Sequence, residues 1–250
     1  MSNKLKTAEK LLLVLEMFSR EKTEWGVTEL SDSLNLSKTV IYRILNTLES
    51  HNYLFQNPDN NKYRLGNKFI QLGEIARHNF DIVDLAEKHL FRLASRVEET
   101  VLMDVLDPRN NTSVCVEKIE SSKEIKFTCN LGEQVPLYAG AYGKAILAWL
   151  KPEKIDEVLM ANLKQYTSNT NTDPDSLREE LEEIKESGYA ITYGEWNPGG
   201  MSVASPVLDH QKQAVAAVGI SGPEFRMADK IDHYIQLCLE TAENISQNLR

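Results

Sequence analysis

Thr39, Tyr42, Arg43 and Asn46 recur at i, i+3, i+4 and i+7, so a helix through them shows all of them on one face. Each can hydrogen-bond to a base edge or a phosphate oxygen, and none is acidic. Further along, Lys62 and Arg64 put two cations on alternate positions of a short strand-like run. A polar helical face followed by a basic hairpin is the chemistry by which a helix reads a major groove while the hairpin meets phosphate or a minor groove. Ser37 and Lys38 stand where that helix begins. Ser is a favoured N-cap, and both side chains are close enough to the helix start to share the contact.

The preceding residues supply a scaffold for this face. Ala8, Leu11, Leu12, Leu15 and Phe18 lie at helical spacing and predict an amphipathic helix over 6–20, broken by Thr23, Glu24, Trp25 and Gly26. Val27, Leu30 and Leu34 predict a short second helix. Asn35 follows where a tight turn needs positive φ, which Asn tolerates. In a third helix over 38–50, Ile41, Ile44, Leu45 and Leu48 form the inward face. Residues 53–56 and 62–65 read as short strands around Asn57, Pro58, Asp59, Asn60 and Asn61, which have loop chemistry. The pattern is a helix-turn-helix with a wing.

Charge supports a division of labour. The chain of 250 residues has a formal net charge of −9, which alone argues against a nucleic-acid partner. Residues 1–70, however, hold 10 basic and 8 acidic side chains, and the remainder holds 18 and 29. A slightly basic first part on an acidic body fits two domains with different partners.

Other chemistries find little footing. Gly143-Lys144-Ala145 resembles the end of a phosphate-binding loop, but Tyr138 and Ala145 stand where that loop needs Gly and Ser or Thr. The five histidines (His51, His78, His89, His210, His233) lack metal-binding spacing, and no metal or cofactor is expected. The three cysteines (Cys115, Cys129, Cys238) are too scattered for a disulfide framework and read as reduced thiols. The carboxylates of 177–186 alternate with Arg178 and Lys185 as a solvated helical face. No Gly-x-Ser-x-Gly elbow is present, so no catalytic residue is assigned and no enzyme is expected. With neither a spanning apolar run nor a cleavable leader, the expectation is a cytoplasmic protein without a membrane partner.

After residue 66, Phe69, Leu72, Ile75 and Ala76 continue helically, and another helix is expected over 82–97. Strands are expected over 101–107, 113–119 and 125–129. Helices follow from Gly140 to about 150, from Pro152, and from Pro174 to the Ser187-Gly188 stop. Strands return over 190–193, 201–208 and 214–221, before a last helix over 230–249. Strands in two blocks separated by helices favour an antiparallel α+β layer over a doubly wound sheet.

Several segments, in this order and spacing, resemble IclR-type bacterial transcriptional regulators over essentially the whole chain. They are Leu36-Ser37-Lys38-Thr39-Val40-Ile41-Tyr42-Arg43-Ile44-Leu45, Lys62-Tyr63-Arg64-Leu65-Gly66, and Pro136-Leu137-Tyr138-Ala139-Gly140-Ala141-Tyr142-Gly143-Lys144-Ala145. Val203-Ala204-Ser205-Pro206-Val207 and Gly219-Ile220-Ser221-Gly222-Pro223 complete the set. The resemblance implies a winged helix-turn-helix domain over 1–66, a linker helix over 67–80, and a GAF-like effector-binding domain with an antiparallel sheet over 81–250. It also implies a homodimer, or a dimer of dimers, on a palindromic operator in double-stranded DNA.

The resemblance further implies an effector site at Ala141, Tyr142, Thr192, Ser202 and Ser221, with Val135 on its apolar side. Elementary physics is compatible with an organic acid there. N–H groups at the Gly140 helix start would receive a carboxylate, and the Ser202 and Ser221 hydroxyls would orient it. Tyr142 fills a position where the family often has a small residue. No Arg, Lys or His falls among these positions, which disfavours a phosphate. The expected function is a ligand-responsive, sequence-specific DNA-binding repressor. The alternatives are a protein-interaction module using the winged helix and, further off, an enzyme built on the effector domain.

Overall fold

A computed structural model describes residues 5–78 and 81–249. The chain forms two compact units, Met1–Asn79 and Phe80–Arg250. Among the described residues no helix is long and apolar enough to cross a membrane.

The first unit contains α1 (Lys6–Glu16), α2 (Val27–Leu34), α3 (Lys38–Ser50), β1 (Leu54–Gln56), β2 (Tyr63–Leu65) and α4 (Lys68–His78). Its core gathers Val14, Trp25, Leu30, Ile41, Ile44, Leu45, Leu48, Leu54 and Tyr63. The helix expected over 6–20 stops at Glu16, and its inward residue is Val14; Leu12 is 54% exposed. Trp25 ends the run differently from a simple break. Its indole N–H donates to the Met17 carbonyl at 2.8 Å, and its backbone bridges Tyr63, on the side of β2 away from β1. The α2 start is held by Glu29, whose Oε2 accepts the Gly26 N–H at 2.8 Å. Asn35 closes α2 at φ 52°, the left-handed turn anticipated for it.

The second unit contains α5 (Asp81–Ala94), β3 (Thr100–Asp107), β4 (Thr112–Ile119), β5 (Gln134–Pro136), α6 (Ala141–Leu147), α7 (Pro152–Leu159) and α8 (Pro174–Ser187). It continues with β6 (Ala190–Tyr193), β7 (Gly200–Leu208), β8 (Ala214–Pro223), α9 (Glu224–Met227) and α10 (Ile231–Asn248). The six strands form one antiparallel sheet in the order β5-β4-β3-β8-β7-β6. Alternation along each strand sends side chains to opposite faces. Val101, Met103, Val105, Val203, Val218 and Ile220 pack with Leu90, Leu93, Tyr234 and Cys238 of α5 and α10. Leu102, Cys115, Ala204 and Ala217 pack instead with Leu137, Ile146, Leu147, Leu177 and Leu181 from the layer of α6 and α8.

Two expectations about this unit change. Residues 125–129 form no strand. The outer edge of β4 pairs with β5 only at Thr112, Ser113 and Val114, opposite Pro136, Val135 and Gln134. The 125–129 segment is pinned as a loop by Lys118 Nζ on the Cys129 carbonyl (3.0 Å) and by Arg226 Nη2 on the Ile125 carbonyl (2.9 Å). The α5 and α6 helices also end earlier than periodicity suggests. Val97 and Trp149 sit in tighter turns, bonding to Ala94 and Ile146 three residues back.

Candidate nucleic-acid interface and ligand cavity

Ser37 caps α3, its Oγ accepting the Val40 N–H at 3.4 Å. With Ile41, Ile44, Leu45 and Leu48 buried, Thr39, Tyr42, Arg43 and Asn46 are all exposed, as is Lys38. The helical spacing brings the expected residues onto one solvent face. The wing is less open than expected. Lys62 Nζ lies 3.2 Å from Glu29 Oε1, and Lys22 approaches the same oxygen at 3.4 Å. The Gly26 N–H and Lys62 together hold the Glu29 carboxyl below its usual range. Lys62 therefore has an intramolecular partner that any phosphate must displace. Arg64 stays exposed, stacked 5.0 Å from the Phe55 ring that faces it across the β1–β2 ladder.

The second unit carries a cleft with about 680 Å³ of empty space, part of it open solvent. Val135, Gly140, Ala141, Tyr142, Thr192, Ser202 and Ser221 all line it. Strand register explains the hydroxyls. Thr192 opposes Ser202 on the β6–β7 ladder, Ser202 opposes Ser221 on β7–β8, and Ser221 opposes Thr100 on β8–β3. A row of hydroxyl-bearing residues thus crosses four adjacent strands. Ser221 Oγ is 2.8 Å from Ser202 Oγ and 3.1 Å from Tyr142 Oη, a chain of three hydroxyls that can each donate or accept. Burial pushes the Tyr142 phenol well above its usual value, so it remains protonated.

At the start of α6, one of the N–H groups expected to receive a carboxylate is already taken. Gly140, at φ 78°, directs its N–H to Glu195 Oε2 at 3.1 Å. Glu195 Oε1 pairs with Lys144 Nζ at 2.6 Å, and Lys144, with a fully buried side chain, also reaches Glu180 at 2.6 Å. The Gly143-Lys144 pair is thus structural. Gly143 is needed because a Cβ there would lie 2.9 Å from the Leu137 backbone, and Lys144 neutralises two carboxylates behind the cavity wall. Burial raises Glu195 although Lys144 opposes the shift.

Sequence reasoning missed Asp104, Ser113, Phe127, Glu133, Glu195 and Trp196, which also line the cleft. Asp104 offered a signal: an acid inside the apolar run Val101–Leu106 has to be buried. It accepts a 2.7 Å hydrogen bond from Ser113 Oγ, and burial raises its pKa to about 6. Cys115 faces the same cleft; the Cys129 thiol beside it and burial push its pKa up.

Comparison with known proteins decides the family. The IclR helix-turn-helix domain matches residues 7–58, and the bacterial transcriptional regulator IclR C-terminal domain matches residues 75–247. The chain belongs to the IclR family. The regulator XynR of Escherichia coli K12 is 32% identical over 90% of this chain and 89% of its own length. The crystal structure of Thermotoga maritima IclR covers 98% of this chain and 99% of its own, at 33% identity and TM-score 0.82. An IclR homologue from Microbacterium hydrocarbonoxydans, solved with 4-hydroxybenzoate, has the same fold, with TM-score 0.86, 22% identity, and coverage of 98% of this chain and 99% of its own. This IclR-family protein is a DNA-binding transcriptional regulator, not an enzyme.

Proposed function

We propose that this IclR-family chain is a repressor whose hold on a palindromic operator is released by a small metabolite bound in the cleft of the second unit. The observation that carries this reading is the cleft itself: six positions implied by family resemblance, with the Gly140 helix start, line one cavity that has a hydrogen-bonded hydroxyl chain in its wall. The 4-hydroxybenzoate complex of a protein with this fold supports a small effector. On this reading Ser37, Lys38, Thr39, Tyr42, Arg43, Asn46 and Arg64 contact DNA, with Lys62 contributing once freed from Glu29. The operator's two-fold symmetry is met by a dimer or a dimer of dimers, since one winged helix buries too little DNA for useful specificity. The α4 helix of the first unit serves as the linker helix.

The mechanism is linkage. An effector that binds one arrangement of the protein more tightly shifts the population toward it, and operator affinity changes by the same factor. A mobility-shift titration on the DNA upstream of the protein's own coding sequence tests this. The expected result is a specific complex that dissociates as metabolite fractions are added. No specific complex, or a complex that no metabolite fraction affects, overturns the reading. Light scattering that returns about 28 kDa, the chain mass of 28.4 kDa, both free and with operator would overturn the oligomer.

A further inference from the structure

The charge lining the cleft speaks to its ligand, on the reading above that the effector binds there. Asp104, Glu133 and Glu195 line it, and among the described residues no Lys, Arg or His does. Glu195 is already paired with Lys144 and the Gly140 N–H. Glu133 Oε2 accepts the Asn130 N–H at 2.9 Å. Asp104 is different. Alternation along β3 puts it on the same face as Leu102, it is 5% exposed, and its described partner is a neutral hydroxyl, Ser113 on β4. The titratable groups that interact with it are Glu133, the Cys115 thiol and the Tyr142 phenol of α6, none of them a cation.

We infer that the effector is a neutral, hydroxyl-rich molecule of monosaccharide size, whose hydroxyls donate to the Asp104 carboxylate. An anion would have the N–H groups at the start of α6, but it would face the buried Asp104 carboxylate across a low-dielectric cavity with no cation among the lining residues to offset it. An ammonium would find one free carboxylate but would leave the hydroxyls of Ser202, Ser221 and Tyr142 and the Asn197 amide without a role. Those neutral groups both donate and accept, as a polyol requires. Trp196 and Phe127 add aromatic surface to the same cleft, suited to the C–H faces of a sugar ring. With its pKa raised to about 6 by burial, Asp104 is an acceptor on both oxygens above that pH.

The test uses the full-length protein and a panel of neutral aldoses and alditols, with their aldonates and 2-amino sugars as matched charged partners. Thermal shift is followed by calorimetry. A neutral member is expected to bind, its aldonate and amino counterparts at least ten-fold more weakly. Asp104→Asn is expected to cut the neutral ligand's affinity by ten-fold or more without lowering the melting temperature, and Ser113→Ala by a smaller factor. Tighter binding by an aldonate or amino sugar, unchanged affinity in Asp104→Asn, or silence across the panel overturns the inference. Operator release by a metabolite without hydroxyls would overturn it while leaving the regulator reading intact.

Discussion

The α3 face and the cleft use similar side chains, hydroxyls beside charged groups, under opposite solvation. On α3 the polar residues are exposed, and the helix owes its stability to Ile41, Ile44, Leu45 and Leu48 beneath. In the cleft, Asp104, Ser113, Thr192 and Ser221 are each 5% exposed or less, and each must be satisfied inside the protein or by a ligand. Polar groups at a protein surface can be chosen for recognition alone. Buried ones are coupled to stability, so their function leaves a thermodynamic trace.

The largest trace is expected at Lys144. Lys144→Met leaves Glu195 and Glu180 without their shared cation, and breaking a buried pair in this way costs about 3–5 kcal/mol. Denaturant melts should show that loss at pH 8, with operator binding retained by whatever fraction stays folded. A loss below about 1 kcal/mol would place Lys144 among surface-like ion pairs.

Asp104 should show the opposite sign. Its pKa lies near 6 in the folded protein against an ordinary 3.8, so the folded state binds more protons between those values. Stability therefore falls as pH rises through that window and stays low above it. Asp104→Asn removes the loss and should stabilise the protein at pH 8 by on the order of 3 kcal/mol, with no gain near pH 3. A variant that melts below the parent at pH 8 would show that the carboxylate is solvated or paired rather than held for a ligand. A gain here alongside lost effector affinity would sharpen the contrast, because no α3 substitution should stabilise the fold this way.

On the exposed side the effect moves from stability to affinity. Arg43→Ala and Tyr42→Ala should each weaken specific operator binding by about 1–3 kcal/mol, roughly 5- to 150-fold. Their melting temperatures should stay close to that of the parent. Fluorescence anisotropy at fixed salt measures this, and parental affinity in both variants would remove α3 from the groove. In the cleft, Ser202→Ala with Ser221→Ala should leave apo operator affinity intact and shift the effector curve by about ten-fold, the scale of a lost hydrogen bond or two. Release at the parental effector concentration would take those serines out of the site.

How much of this could be read in the sequence follows the same contrast. The α3 helix, its cap at Ser37 and the left-handed Asn35 were legible because a helix with one wet and one dry face writes its period into the chain. On α1 the expected face held at Leu11 and Leu15, and at Phe18 just past its end, which pack beside the buried Val14, while Leu12 at its margin is exposed, because hydrophobicity alone does not fix the edge of a helical face. In the sheet, the hydroxyl row exists only through the register of β6, β7, β8 and β3, whose partners lie far apart in the chain. Thr192, Ser202 and Ser221 were reached through family resemblance. Asp104 was not reached: its place between Met103 and Val105 marks it as buried, but which cleft it faces is set by the sheet and not by the run itself. Residues 125–129 had strand-like composition, but composition does not supply a ladder, and the segment's carbonyls at Ile125 and Cys129 are held by Arg226 and Lys118 side chains instead.

The smallest expected effect concerns the wing, where the two solvation regimes meet. Lys62 is partly buried and tied to Glu29 at 3.2 Å, whereas Arg64 on the same strand run is exposed against Phe55. Each cation that fully neutralises a phosphate contributes about 0.9 to the slope of log affinity against log salt. Lys62 must first give up its carboxylate, an exposed pair worth roughly 0–1 kcal/mol. Lys62→Ala should therefore flatten the slope by less than one unit, and Arg64→Ala by close to one, with both variants weakening all DNA sequences alike. Glu29→Gln releases Lys62 and should steepen the slope, raising non-specific affinity. An unchanged slope in Lys62→Ala together with a steeper one in Glu29→Gln would mean that the ion pair holds Lys62 off the DNA altogether. Unchanged slopes in Lys62→Ala, Arg64→Ala and Glu29→Gln would mean that the hairpin does not touch phosphate, leaving α3 as the whole of the contact.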